Sequence, residues 1–110
     1  MRIVRHPMVA RDLRALATHI FDSTGGDLAA ALRRLDEVEA LIAAIAENPQ
    51  TGARLAPAGS GWRVRHGGRG QRVTIVFHMD PDLDRLFIAL VAFGPQDWPA
   101  RMQARRDVLP

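Results

Sequence analysis

The sequence predicts an α+β fold: a small antiparallel sheet in the order β-α-α-β-β-β-α, with an N-terminal helical hairpin packed on one face. Three observations carry this. In the first half, apolar residues recur at helical spacing, as in Val9, Leu13, Leu16 and Ile20. After Pro49 the apolar period drops to two. Arg85 to Phe93, RLFIALVAF, is apolar at nearly every position, as a central strand buried on both faces would be.

Each element follows in order. RIVR at 2–5 reads as a short strand, broken by His6-Pro7, and Pro7 suits the first turn of a helix that runs to about Phe21. Asp22 to Gly26 makes a turn, and Asp27 caps a second helix. The apolar stripe of that helix is Leu28, Leu32, Leu35, Val38, Leu41 or Ile42, and Ile45, and Asn48-Pro49 ends it. Residues 8–47 therefore predict an antiparallel helical hairpin. Residues 50–61, rich in Gly, Ala and Pro, read as a loop. Trp62, Val64 and His66 then alternate with Arg63 and Arg65, and Val73, Ile75, Phe77 and Met79 with Arg72, Thr74, Val76 and His78. MDPDLD is a tight turn. Gly94-Pro95 ends the last strand, and Asp97 caps a short final helix that has Pro99 in its first turn and carries Arg101, Arg105 and Arg106.

A chain of 110 residues suits one domain, here 1–110. The absence of cysteine excludes disulfides and thiolate metal sites. Neither a signal-peptide run nor an apolar stretch of membrane-spanning length is visible, so a soluble, cytoplasmic protein is expected. Arginine supplies all fifteen basic residues. It stays protonated and grips carboxylate or phosphate with a planar fork.

The arginines are unevenly placed. Residues 50–78 hold Arg54, Arg63, Arg65, Arg69 and Arg72 and no acid. Such a block suits an anionic partner. If Trp62 and Val64 share a core face with the residues opposite them, the register sets Val64 opposite Val73 and Trp62 opposite Ile75. Arg65 then opposes Arg72, Arg63 opposes Thr74, and alternation adds His78 to the same open face, away from the helices. Like charges directly opposite are unfavourable in a sheet, so the arrangement suggests an anion-binding surface. The alternative is a solvated hairpin face with GGRGQ as its flexible link.

Other constellations are weaker. His6, His19, His66 and His78 are scattered without metal-ligand spacing. Asp80, Asp82 and Asp84 lack the glycine and distal glutamate of a calcium loop and read as turn residues. Trp62 reads as core, and Trp98 as core, lid or partner contact. No metal and no cofactor are expected.

Three segments carry a family resemblance: DLRALATHI in the first helix, ENPQTG followed by WRVR, and QRVTIVFHMD leading into LFIALVAFG. In order and spacing, over nearly the whole chain, they resemble the ParE/RelE superfamily of toxins from type II toxin–antitoxin systems. That resemblance implies a small basic α+β domain that arrests growth, stabilises plasmids in some settings, and is neutralised by a cognate antitoxin that wraps it. ParE-like members poison DNA gyrase, whereas RelE-like members cleave mRNA on the ribosome.

RelE-like catalysis would place Arg65 and Arg72 as sheet arginines, a basic residue after the last strand, and a C-terminal tyrosine or histidine. Here the position after that strand is Gln96, tyrosine is absent, no histidine follows His78, and Trp98 has no proton to exchange usefully. Cleavage by proton transfer needs an acid and a base in reach. The departures favour a ParE-like gyrase inhibitor over a ribosome-dependent endoribonuclease or a silent family member that only binds its partner. The candidate anion- or target-binding residues are Arg63, Arg65, Arg72, His78, Gln96 and Trp98, with no catalytic residue assigned.

Overall fold

The computed structural model describes residues 1–55 and 59–105. Strand β1 (Arg2–Arg5) leads into helices α1 (Val9–Ser23) and α2 (Leu28–Glu47). Four strands follow: β2 (Ala53–Arg54), β3 (Trp62–Gly67), β4 (Val73–Asp80) and β5 (Arg85–Phe93), then helix α3 (Trp98–Gln103). The expected α+β order is present, with the two-residue strand β2 added inside the segment read as loop. Part of that loop, residues 56–58, and the expected helical Arg106 lie outside the described residues.

The caps follow the expected chemistry at two of three helices. Asp27 Oδ1 accepts the Ala30 N–H at 3.0 Å, and Asp97 Oδ1 accepts the Ala100 N–H at 3.2 Å. Helix α1 has no side-chain cap from its own boundary residue. Two residues before that boundary, His6 Nδ1 accepts the Met8 N–H at 2.9 Å and holds the entry turn.

The sheet order is β1-β5-β4-β3-β2. β3, β4 and β5 form the expected antiparallel meander, but β1 pairs parallel to β5, so the sheet is mixed. The run RLFIALVAF is the central strand, with Leu86 to Ala92 all buried. Two separate apolar clusters explain this. One lies between sheet and hairpin and includes Val9, Leu16, Val38, Ile42, Ile75, Phe77 and Ile88. The other, Val64, Val76, Leu90 and Ala92, lies on the opposite face under Trp98 and Met102, with Trp62 and Leu55 alongside. Helix α3 therefore adds a third layer.

The stripe expected on α2 is partly displaced. Leu28 and Leu32 are 60% and 52% exposed, while Ala30 and Ala31 are buried in their stead. The buried face of α2 is thus set in its first turns by small residues, and the two leucines point to solvent.

The expected register is corrected. Trp62 faces His78, Val64 faces Val76, Arg65 faces Ile75 and Gly67 faces Val73. The cause is the second cluster. Trp62 and Val64 are core residues, but of the α3 face, so matching them to the hairpin-facing Val73 and Ile75 shifted the pairing by three residues, and an odd shift inverts every side chain. Arg63 and Arg65 consequently lie on the hairpin side with Ile75 and Phe77, and His78 lies on the other.

β5 carries one irregularity. Val76 pairs with Leu90 and Phe77 with Ile88, leaving Ala89 as an extra residue, a β-bulge. The bulge changes the phase of the strand. Leu86 and Ile88 face the hairpin before it, and Val91 faces it after, while Leu90 and Ala92 turn to α3.

Candidate functional site

The basic block does not form a single face. Arg63 Nη1 donates to the Gly52 carbonyl at 2.9 Å and reaches the Gln50 carbonyl at 3.4 Å. Arg65 Nη1 donates to Thr51 Oγ1 at 2.9 Å. Both side chains thus fasten the 3-10 turn at Pro49–Thr51, which follows α2, to the edge of the sheet. They act where helical carbonyls and loop backbone need donors.

Arg72 lies before β4, after a 3-10 turn at Arg69–Gln71, so it opposes no residue of β3. Gly70 in that turn has φ of +64°, and Gln71 follows with φ of +59°. Successive left-handed residues swing the loop back toward the hairpin. Arg72 is thereby brought beside Arg69, across from Arg34 and His19 of the two helices, at a groove of about 480 Å³ floored by Ile20 and Phe93. The His19 and Phe93 rings lie 5.1 Å apart. Arg69 and Arg72 have no side-chain hydrogen bond or ion pair among the described residues, in contrast to Arg34, which pairs with Glu37 at 2.8 Å.

The other candidates are engaged elsewhere. His78 packs against Trp62 with ring centroids 5.0 Å apart, and its Nε2 bonds the Ser60 carbonyl at 3.0 Å. A carbonyl only accepts, so this nitrogen carries the hydrogen. Nδ1 is buried without a partner among the described residues. Trp98 opens α3 and packs on the second apolar cluster, in keeping with its reading as core or lid. Gln96 folds back on the β5 end: its Oε1 accepts the Phe93 N–H at 3.1 Å and Arg101 Nη1 at 2.5 Å.

Gln96 belongs to a network that sequence reasoning missed. Asp12 of α1 is 3% exposed and Arg105, just after α3, 7%. Arg105 grips both Asp12 oxygens, Nη1 meeting Oδ2 at 2.6 Å and Nη2 meeting Oδ1. Arg101 Nη2 adds a bond to Oδ1 at 2.6 Å. Asp12 Oδ2 also accepts the Val91 N–H at 3.0 Å, and Arg105 Nη1 donates to the Ala89 carbonyl at 2.9 Å. Past Arg5 and His6, β1 no longer covers this edge of β5. The ion pair satisfies the bulge backbone that β1 leaves open. The available signal was position: Asp12 shares the buried face of α1 with Val9 and Leu16, at spacings of three and four.

His6, buried beside this network, has its basicity lowered by burial first and by the Arg105 charge second, with Asp12 opposing. Asp80 behaves as expected of a turn residue, its Oδ1 accepting the N–H groups of Asp82 and Leu83. Among the described residues no three His, Asp or Glu side chains are grouped to hold a metal. No described helix is long and apolar enough to cross a membrane.

Neither a protein-family model nor a curated protein sequence matches the chain. Among solved structures, it is similar to a chain of the chromosomal ParDE TA system from P. aeruginosa, at 17% identity, over 84% of this chain and 95% of that one, with a TM-score of 0.67. At that identity the likeness is one of fold alone.

Proposed function

We propose that the chain is the toxin of a type II toxin–antitoxin pair, acting ParE-like by binding DNA gyrase in the cytoplasm and held inactive there by a cognate antitoxin. The ParDE fold likeness and the sequence resemblance support the toxin–antitoxin part. One observation carries the choice of a binder over an RNA-cleaving enzyme. Most of the side chains that a RelE-like sheet would turn on RNA are engaged in holding this fold together, and Arg72, which is not, lies in the loop before β4 and off the strands. Arg63 and Arg65 fasten the turn after α2, Gln96 closes the end of β5, and His78 is fixed between Trp62 and the Ser60 carbonyl. Among the described residues the nearest thing to an acid–base set on the strands is Arg54, His78 and Asp80, which line one surface pocket, but His78 gives Nε2 to the Ser60 carbonyl and keeps Nδ1 buried, so it is poorly placed for proton transfer to a phosphodiester. Arg69 and Arg72, unpaired among the described residues, lie at a groove suited to holding a partner.

Induced expression of the chain, followed by assays of supercoiling by purified gyrase and of mRNA integrity during translation, tests this. Growth arrest with lost supercoiling and intact mRNA is expected. Cut mRNA beside normal supercoiling would overturn the gyrase reading.

A further inference from the structure

We propose that the groove between the helical hairpin and the Arg69–Arg72 loop is a peptide-docking site. Its occupant is a segment of a protein partner that sets an apolar side chain next to an Asp or Glu and has a free N–H. This rests on the reading of the chain as a protein held by a protein partner, and it adds the place and the chemistry of the contact.

Three features of the groove select that occupant. Its floor, including Ile20 and Phe93, is apolar and half-buried, so an apolar side chain placed there leaves water. Its rim carries Arg69 and Arg72 with no partner among the described residues, and a carboxylate beside the apolar anchor would meet a guanidinium fork there. The third feature separates peptide from nucleic acid. Glu37 lines the same groove, gives Oε1 to Arg34, and has Oε2 buried with no hydrogen-bond partner among the described residues. An unpaired carboxylate oxygen repels phosphate but accepts an N–H, which peptides supply and a phosphodiester backbone lacks. Base stacking gets little help either, because the one Phe in the groove already carries the His19 ring.

The probe is a displayed library of random 12-residue peptides, panned on the full chain. A labelled 12-nucleotide single strand of RNA is titrated in parallel. The variant is Arg69→Glu with Arg72→Glu, both exposed. Arg2→Glu with Arg54→Glu, exposed on the two edge strands, makes the same change of net charge away from the groove. Enriched peptides are expected to pair Leu, Ile or Phe with Asp or Glu. They should bind the groove variant at least about tenfold more weakly than the parent, and the edge variant equally well. No enrichment, enrichment of neutral or basic sequences, or equal loss in both variants would overturn the proposal. So would tight RNA binding abolished by the groove variant alone. Direct binding is read here without toxicity. A groove that behaves as expected in a chain that arrests nothing would refute only the gyrase reading. A gyrase inhibitor whose peptides ignore the groove would refute only this inference.

Discussion

Asp12 and Arg105, 93 residues apart in sequence, form a buried two-point ion pair that also completes the backbone hydrogen bonding of the β5 bulge. The pair joins the first helix, the central strand and the segment after the last helix at one point. A buried ion pair gives little net stability by itself, but losing one partner strands the other charge. Asp12→Ala leaves the Arg105 charge without its counter-ion and the Val91 N–H without an acceptor and should cost about 3–5 kcal/mol in urea unfolding. Arg101→Ala removes a more exposed contact to the same carboxylate and should cost about 1 kcal/mol. Asp12→Ala within about 1 kcal/mol of the parent would show that the pair is not what fastens the bulge.

His6 makes stability depend on pH. Its neutral ring accepts the Met8 N–H at Nδ1, so protonation there breaks that bond and adds charge near Arg105. The folded ring is thus less basic than in the unfolded chain, where the ordinary value is 6.5. The folded state binds fewer protons, and stability is complete above that value and declines as pH falls through it. The thermal midpoint should be level above about pH 7 and drop toward pH 5. Asn at position 6 offers an oxygen to the Met8 N–H without titrating, so His6→Asn should flatten the decline. An unchanged slope in that variant would assign the effect elsewhere.

How far the sequence disclosed this fold follows from which contacts are local. The three α-helices, the longer strands and the caps at Asp27 and Asp97 were legible because period and capping act over a few residues, whereas the two-residue β2 is too short to show a period. The register of β3 on β4 was not, because it depends on α3, a distant element that gives the sheet a second buried face. Once both faces are apolar, alternation marks Trp62 and Val64 as inward without saying toward which layer. The arginine assignment inherited that ambiguity. Arg72 reached the groove by loop geometry that alternation does not describe, and the α2 pattern gives no sign that Arg34 and Glu37 line it, because the loop that completes the groove is distant in sequence. Asp12 was missed because its partners are nearly a whole chain length away.

The Arg5–Glu39 pair ties β1 to α2, with two contacts at 2.8 and 2.5 Å. The Arg5 hydrogen bond, and then its charge, lower the Glu39 carboxyl below its ordinary value of 4.5, against some burial. Its contribution is therefore present above that value and lost as pH falls through the lowered one. Both side chains are more than a third exposed, so screening keeps the effect small. Glu39→Gln should cost less than about 1 kcal/mol in low salt, and the difference should vanish in 1 M NaCl. A loss that survives high salt would mean that the pair packs β1 rather than merely attracting it.

Arg63 and Gly52 together decide what the edge arginines are for. Gly52 has room for no side chain: a Cβ there would stand 2.8 Å from the ring of Phe77, which is fully buried, and 3.1 Å from the Val64 carbonyl. The turn after α2 is pressed onto the sheet at that glycine, and Arg63 holds its carbonyl. Gly52→Ala should cost about 1–3 kcal/mol by overpacking. Arg63→Ala should cost about 1–2 kcal/mol, because the carbonyl it serves is part-buried. Arg65→Ala, whose contact to Thr51 is exposed, should cost less than about 0.5 kcal/mol. A surface for anions gives a different pattern: Gly52→Ala would still be destabilised, but the two arginine variants would be as stable as the parent and would lose growth arrest. Urea midpoints and growth curves on the same set of variants separate the two. Stable but inactive Arg63→Ala and Arg65→Ala proteins would return these side chains to the binding surface.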